Sequence, residues 1–212
     1  MKKLIIIVFI LSISAFSFSQ TVNGDTLTVD GKKILKVWGT HYERGYAYGY
    51  LLGEQIRQVA VEYFIESILM NSVILYNYSR NYFLSNFVVE DKYITEAEGM
   101  INGMIDSGVD LYCEGLDIEL DEIDLLLANS IVDLSALVLL NIDIENEFGC
   151  SSLSSWGEST QDDPQLNGDL VITRNMDWEP HPTLLANHLL VVQFPDEENE
   201  VKWLSFTFAG MI

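Results

Sequence analysis

Positive charge is what this chain most lacks. Lys and Arg number 11 against 32 Asp and Glu, a formal net charge of −21 over 212 residues. A surface of that sign repels phosphate backbones and anionic headgroups, which argues against nucleic acid or an acidic membrane surface as partner. Cysteine is scarcer still, with only Cys113 and Cys150. Two thiols cannot build a disulfide-dense small fold or a four-cysteine zinc site. Long apolar runs are also missing. Residues 132–142 are apolar, but the run is short of the roughly 20 residues a bilayer needs, and acidic residues follow it. The hydrophobic content is nevertheless 49%, enough for the core of one domain.

The first twenty residues stand apart. Lys2 and Lys3 precede an unbroken apolar run over 4–11, then small and aromatic residues lead to Ser17-Phe18-Ser19-Gln20. This is the pattern of a secretory signal peptide, residues 1–19, with cleavage near Ser19. The mature protein is expected to be secreted or periplasmic, with no membrane span after signal removal. Losing the leader leaves nine basic against 32 acidic residues, a net charge of −23.

Residues 21–36 predict a hairpin, with Asp30-Gly31 as its turn. A helical pattern follows from Gly39-Thr40-His41-Tyr42-Glu43-Arg44-Gly45 to about Met70. Gly45, Gly49 and Gly53 recur within it at four-residue spacing. Each glycine costs a helix about 1 kcal/mol against alanine, so three on one face point to close approach of another backbone. Residues 93–107 read as a second helix, with Met100, Ile101, Met104 and Ile105 as its apolar stripe. Residues 119–140 read as a third, its start rich in acids where the helix dipole favours them.

After Gly149 the texture changes. The segments 150–156, 170–174, 188–194 and 201–208 are short β-type runs, with turn signals at Asn167-Gly168 and Pro195-Asp196. Helices first and an antiparallel meander second predict an α+β fold. About four strands cannot close a two-sided sheet, so the chain is expected to be a fragment truncated at its C-terminus.

No Lys or Arg occurs from residue 93 to 173, a stretch with 18 acids. Arg174 then appears in Thr173-Arg174-Asn175-Met176-Asp177-Trp178, at the end of a predicted strand. Alone, this suits an ordinary strand-end ion pair or a guanidinium that holds a substrate oxygen. Cys150 lies in Phe148-Gly149-Cys150-Ser151-Ser152, where the helical half meets the strand half. A thiol is the most nucleophilic side chain near neutral pH, given a base or a depressed pKa. None of His41, His181 and His188 is an obvious partner. An α-amino group, with a pKa of about 7.7–8, can serve instead if Cys150 becomes an N-terminus. On these residues alone, a disulfide to Cys113 or a buried free thiol stands beside the nucleophile. No metal is expected, because no second ligand-type residue sits at ligand spacing from His41 or His181. No cofactor is expected.

The stretch Gly149-Cys150-Ser151-Ser152-Leu153-Ser154-Ser155-Trp156-Gly157, then Asn167-Gly168, then Arg174-Asn175-Met176-Asp177-Trp178, resembles the start of the catalytic chain of N-terminal-nucleophile (Ntn) hydrolases. More narrowly it resembles the acyl-CoA:6-aminopenicillanate acyltransferase family of self-processing cysteine amidohydrolases. The segment Glu43-Arg44-Gly45, Gly49, Leu52-Gly53 is similar to that family's helical pro-region. The resemblance implies a helical pro-region over 20–149 and the N-terminal part of a catalytic αββα sandwich over 150–212. It implies autocleavage between Gly149 and Cys150, with the two resulting chains staying associated. Cys150 would be both the processing residue and the nucleophile. Asp177 would orient its free amine, and Arg174 would position the thiolate or the substrate. The family's oxyanion-hole asparagine and second arginine would fall beyond Ile212. The expected activity is hydrolysis or acyl transfer on a small-molecule amide or acyl substrate. The expectation from a different class is a non-catalytic exported binding protein with a Cys113–Cys150 disulfide.

Overall fold

A computed structural model describes residues 20–134, 149–177 and 180–212. The leader at 1–19, the last six residues (135–140) of the expected third helix and Trp178 lie outside the described residues.

The chain opens with an antiparallel hairpin, β1 (Gly24–Val29) and β2 (Lys32–Gly39), in register from Gly24↔Val37 to Val29↔Lys32. Asp30 and Gly31 both take positive φ, 48° and 75°, as a two-residue turn that matches strand twist requires. Thr40 then caps α1 (His41–Gln58) in a capping box: its side chain accepts from the Glu43 amide, and the Glu43 carboxylate accepts from the Thr40 amide at 2.8 Å. The helix continues as a π-helical segment, Val59–Ile68, which ends where Met70 and Asn71 adopt positive φ.

Next come α2 (Val73–Asn86) and α3 (Asp91–Asp106). Two of the three spaced glycines of α1 have the explanation expected of them, whereas Gly53 faces side chains of Val109 and Met104. A Cβ on Gly45 would stand 2.0 Å from the carbonyl oxygen of Glu96, and one on Gly49 would stand 1.9 Å from that of Met100. The contact is reciprocal, because Gly99 and Gly103 of α3 press equally on the carbonyls of Tyr42 and Tyr46. Backbone packs on backbone, and this fixes α3, with Glu96 on it, against the first turns of α1. Burial, aided by a hydrogen bond to Asp106, pushes the Tyr46 phenol up to about 12.

A small ribbon, β3 (Tyr112–Cys113) and β4 (Ile118–Glu119), leads to α4 (Glu122–Asn129) and the short α5 (Ile131–Leu134). Arg80 of α2 grips both Asp121 and Asp124, each at 2.6 Å, and so ties α2 to the capping box of α4.

After the undescribed stretch, β5 (Gly149–Ser155) pairs antiparallel with β6 (Val171–Asp177). A short helix, α6 (Pro182–Ala186), precedes β7 (His188–Pro195) and β8 (Trp203–Phe208), which are also antiparallel. The expected single antiparallel meander over 150–208 is corrected here. Among the described residues, β5–β6 is a sheet of its own, while β7–β8 completes a four-stranded sheet of order β1-β2-β7-β8. Its central pair, β2 and β7, runs parallel from Ile34↔Leu190 to Gly39↔Pro195. The cause is burial. Leu35 and Val37 of β2 and Leu189 and Val191 of β7 are all nearly inaccessible, and they join Tyr48, Leu52 and Ile56 of α1 in one core. Each such side chain gains about 1.5–3 kcal/mol on leaving water. The molecule is therefore mixed α+β, and residues on either side of position 149 share a core.

Candidate functional site

Two places collect residues with chemistry. The first is the β5–β6 ribbon. Its register pairs Gly149 with Asp177, Cys150 with Met176, and Ser152 with Arg174. The start of one strand thus meets the end of the other, so positions 150 and 177 are diagonal neighbours. By strand alternation, positions 150 and 174 share one face of the ribbon, and position 177 lies on the other. Cys113 is remote in kind: it is a free thiol, 1% exposed, in β3. His181 accepts from the Thr183 amide at the start of α6 and lies against Tyr63, while His188 bonds the Leu185 carbonyl.

The second place was not anticipated. His41 and Arg44 occupy the first turn of α1, Glu96 sits on α3, and Glu197 and Glu200 lie in the turn between β7 and β8. His41 places Nδ1 2.5 Å from Oε2 of Glu96 and Nε2 2.8 Å from Oε1 of Glu200. Arg44, 1% exposed, donates Nη1 to the Gly39 carbonyl at 2.6 Å and to Oε2 of Glu197 at 2.7 Å. Its Nη2 reaches Oε2 of Glu200 at 3.1 Å. The His41 amide donates to Oε1 of Glu197 at 2.8 Å. Gln193, 2% exposed, directs Nε2 to Glu96 at 3.5 Å, and its Oε1 has no partner among the described residues. His41, Arg44, Glu96, Gln193 and Glu200 line an open cavity of about 360 Å³, with Lys92, Tyr93 and Trp203 also on its walls.

The electrostatics follow from who faces whom. The hydrogen bond to Glu96 raises the His41 pKa, burial opposes it, and Glu200 adds to the rise. Burial would push Glu197 and Glu200 up, but Arg44 on the first and His41 on the second hold both below the usual carboxylate range. Sequence spacing could not reveal this cluster, because its acids lie 55 to 159 residues from His41 along the chain. The available signal was the pair Glu197 and Glu200 at a three-residue interval in a predicted turn.

No protein-family model, curated protein or solved structure matches this chain.

Proposed function

We propose that the protein is a secreted, self-processing cysteine amidohydrolase or acyltransferase of the Ntn type, with Cys150 as nucleophile. The observation that carries this is the register of the β5–β6 ribbon, in which Gly149 pairs with Asp177 and Cys150 stands between Asp177 and Arg174. That order suits a junction where a new α-amine must lie beside a carboxylate.

In processing, the thiol of Cys150 attacks the Gly149 carbonyl and the amide nitrogen leaves as the α-amine, an N-to-S acyl shift that gives a thioester. Water then cleaves the thioester, producing a Gly149 carboxylate and a free thiol. In turnover, the α-amine accepts the thiol proton, the thiolate adds to the substrate amide carbonyl, and the α-amine returns the proton to the departing amine. Asp177 orients the amine, and Arg174 holds the substrate or the thiolate. Water or an amine then resolves the acyl-enzyme. Hydrogen-bond donors aimed at the tetrahedral oxyanion would supply much of the rate.

The sharing of one core across residue 149 supports continued association of the two product chains. The binding-protein alternative is weakened, because Cys113 is a buried free thiol rather than half of a cross-link. The test is intact mass and N-terminal sequencing of purified full-length protein. A chain beginning at Cys150 is expected, absent in Cys150→Ala. Amide hydrolysis by a chain that stays uncut would overturn the mechanism.

A further inference from the structure

We infer that His41, Glu197 and Glu200 form a binding site for a divalent transition-metal ion of the zinc class, with Glu96 orienting His41. The inference goes beyond the proposed catalysis and uses no residue of the β5–β6 ribbon.

Geometry comes first. One ligand atom each from His41, Glu197 and Glu200 falls within 4.8 Å of the others. Ligands about 2.0–2.2 Å from a common ion stand about 3–4 Å apart. His41 Nε2 and Glu200 Oε1, now at 2.8 Å, need to open by only a fraction of an ångström.

The surrounding groups have the arrangement that metal-binding histidines use. Such a histidine presents one ring nitrogen to the ion and donates the other N–H to a carboxylate, which fixes its tautomer and ring plane. His41 has Nδ1 on the buried carboxylate of Glu96 and Nε2 on Glu200, with Glu197 in the same close group. Arg44 does not block the centre. It holds Oε2 of Glu197 and Oε2 of Glu200 and leaves each Oε1 on the side of His41.

Charge and unmet bonding give the independent argument. Three carboxylates converge on Arg44, the one arginine in the cluster, while Lys92 reaches Glu200 only from the rim at 3.5 Å. With Nδ1 on Glu96 and Nε2 on Glu200, His41 stands between two carboxylates, and a bound dication would take the place of its Nε2 proton. Gln193, on the wall of the same cavity, keeps a buried carbonyl oxygen with no partner among the described residues. That oxygen can accept from a metal-bound water. A mixed imidazole and carboxylate set favours zinc-class ions, whereas calcium and magnesium prefer all-oxygen shells. The bound ion would pin the first turn of α1 to the β7–β8 turn.

The test titrates zinc chloride into chelator-treated full-length Cys150→Ala protein, followed by calorimetry and by melting temperature. The Cys150→Ala background removes a competing thiolate. Expected are one zinc per chain with Kd of about 10 μM or tighter, a raised Tm, and much weaker binding of calcium. Glu200→Gln, Glu197→Gln and His41→Gln should each weaken zinc at least tenfold, and Glu96→Gln about 10- to 100-fold. Asp121→Asn should not change it. Circular dichroism checks each fold, and if His41→Gln unfolds, the two glutamate variants in the turn decide. The site is overturned by absence of zinc binding, by zinc and calcium binding equally, or by zinc affinity unchanged in both turn variants. None of these results depends on whether the Gly149–Cys150 bond is ever cut.

Discussion

The carbonyl oxygen of Glu96 lies 2.0 Å from where a side chain on Gly45 would begin. The same glutamate uses its carboxylate to hold His41, one turn earlier on the facing helix. One residue therefore sets the spacing of α1 and α3 through its backbone and the polar cluster through its side chain.

Gly45→Ala and Gly49→Ala should each destabilise the fold by about 3 kcal/mol, because the obstacle is main chain and cannot rotate away. Gly53→Ala should cost clearly less. Its new methyl would meet side chains of Val109 and Met104 at 2.8 and 3.2 Å, which can shift, and alanine recovers up to about 1 kcal/mol of helix propensity. Urea unfolding of the three variants gives the ranking, and equal losses would contradict the packing argument.

Arg44→Met should be severe, at about 3–5 kcal/mol, since it leaves Glu96, Glu197 and Glu200 without their buried guanidinium. Thermal and denaturant unfolding measure it. A loss below about 1 kcal/mol would place the cluster among weak surface ion pairs.

Acid should loosen the α2–α4 clasp in a defined window. Burial would raise the Asp121 pKa, but the hydrogen bonds and charge of Arg80 hold it below the usual value. A depressed folded pKa gives stability that is present above the unfolded value near 3.9 and lost as pH falls through the folded one. Asp124 behaves oppositely: burial pushes it up, so its protonation does not oppose the fold. Hydrogen-exchange protection of α2 amides, relative to the unfolded rate at each pH, should therefore hold level down to about pH 4 and fall below it. Asp121→Asn should remove that dependence, and Asp124→Asn should retain it.

Cys113→Ala should leave processing intact, because that thiol is buried in β3. Cys150→Ser should process slowly, the hydroxyl being the weaker nucleophile. The two product chains should co-elute on gel filtration, held by the β2–β7 pairing and by the bond from Thr183 to Glu62 at 2.7 Å. Separation without denaturant would contradict the shared core.

Local signals in the sequence carried much of the fold. Asp30-Gly31 forms the expected turn, and Gly45 and Gly49 meet the expected backbone, while the Thr40 to Glu43 capping box is an equally local signal that went unread. Helix α2 was missed because its buried positions are few and mixed, Tyr76, Ser79 and Phe83, with Arg80 among them for a partner 41 residues away. The parallel pairing of β2 with β7 left no local trace, since alternation in either strand says nothing about its neighbour. The His41 cluster was illegible for the same reason. His41 looked isolated because its ligand-type neighbours arrive from α3 and from a turn near the other end of the chain.

That pairing also orders events in time. β2 ends at Gly39 and its parallel neighbour begins at His188, about 150 residues later. At ribosomal speeds of about 5–20 residues per second, the first hairpin waits on the order of ten seconds or more for the strand that covers its edge. In that interval Leu35 and Val37 have only α1 against them, and β2 exposes a free row of amides and carbonyls. The charges beside them, Lys32, Lys33 and Lys36, are what an edge strand uses to discourage the wrong neighbour. Three of the chain's few lysines thus stand where a nascent sheet is most open to mispairing.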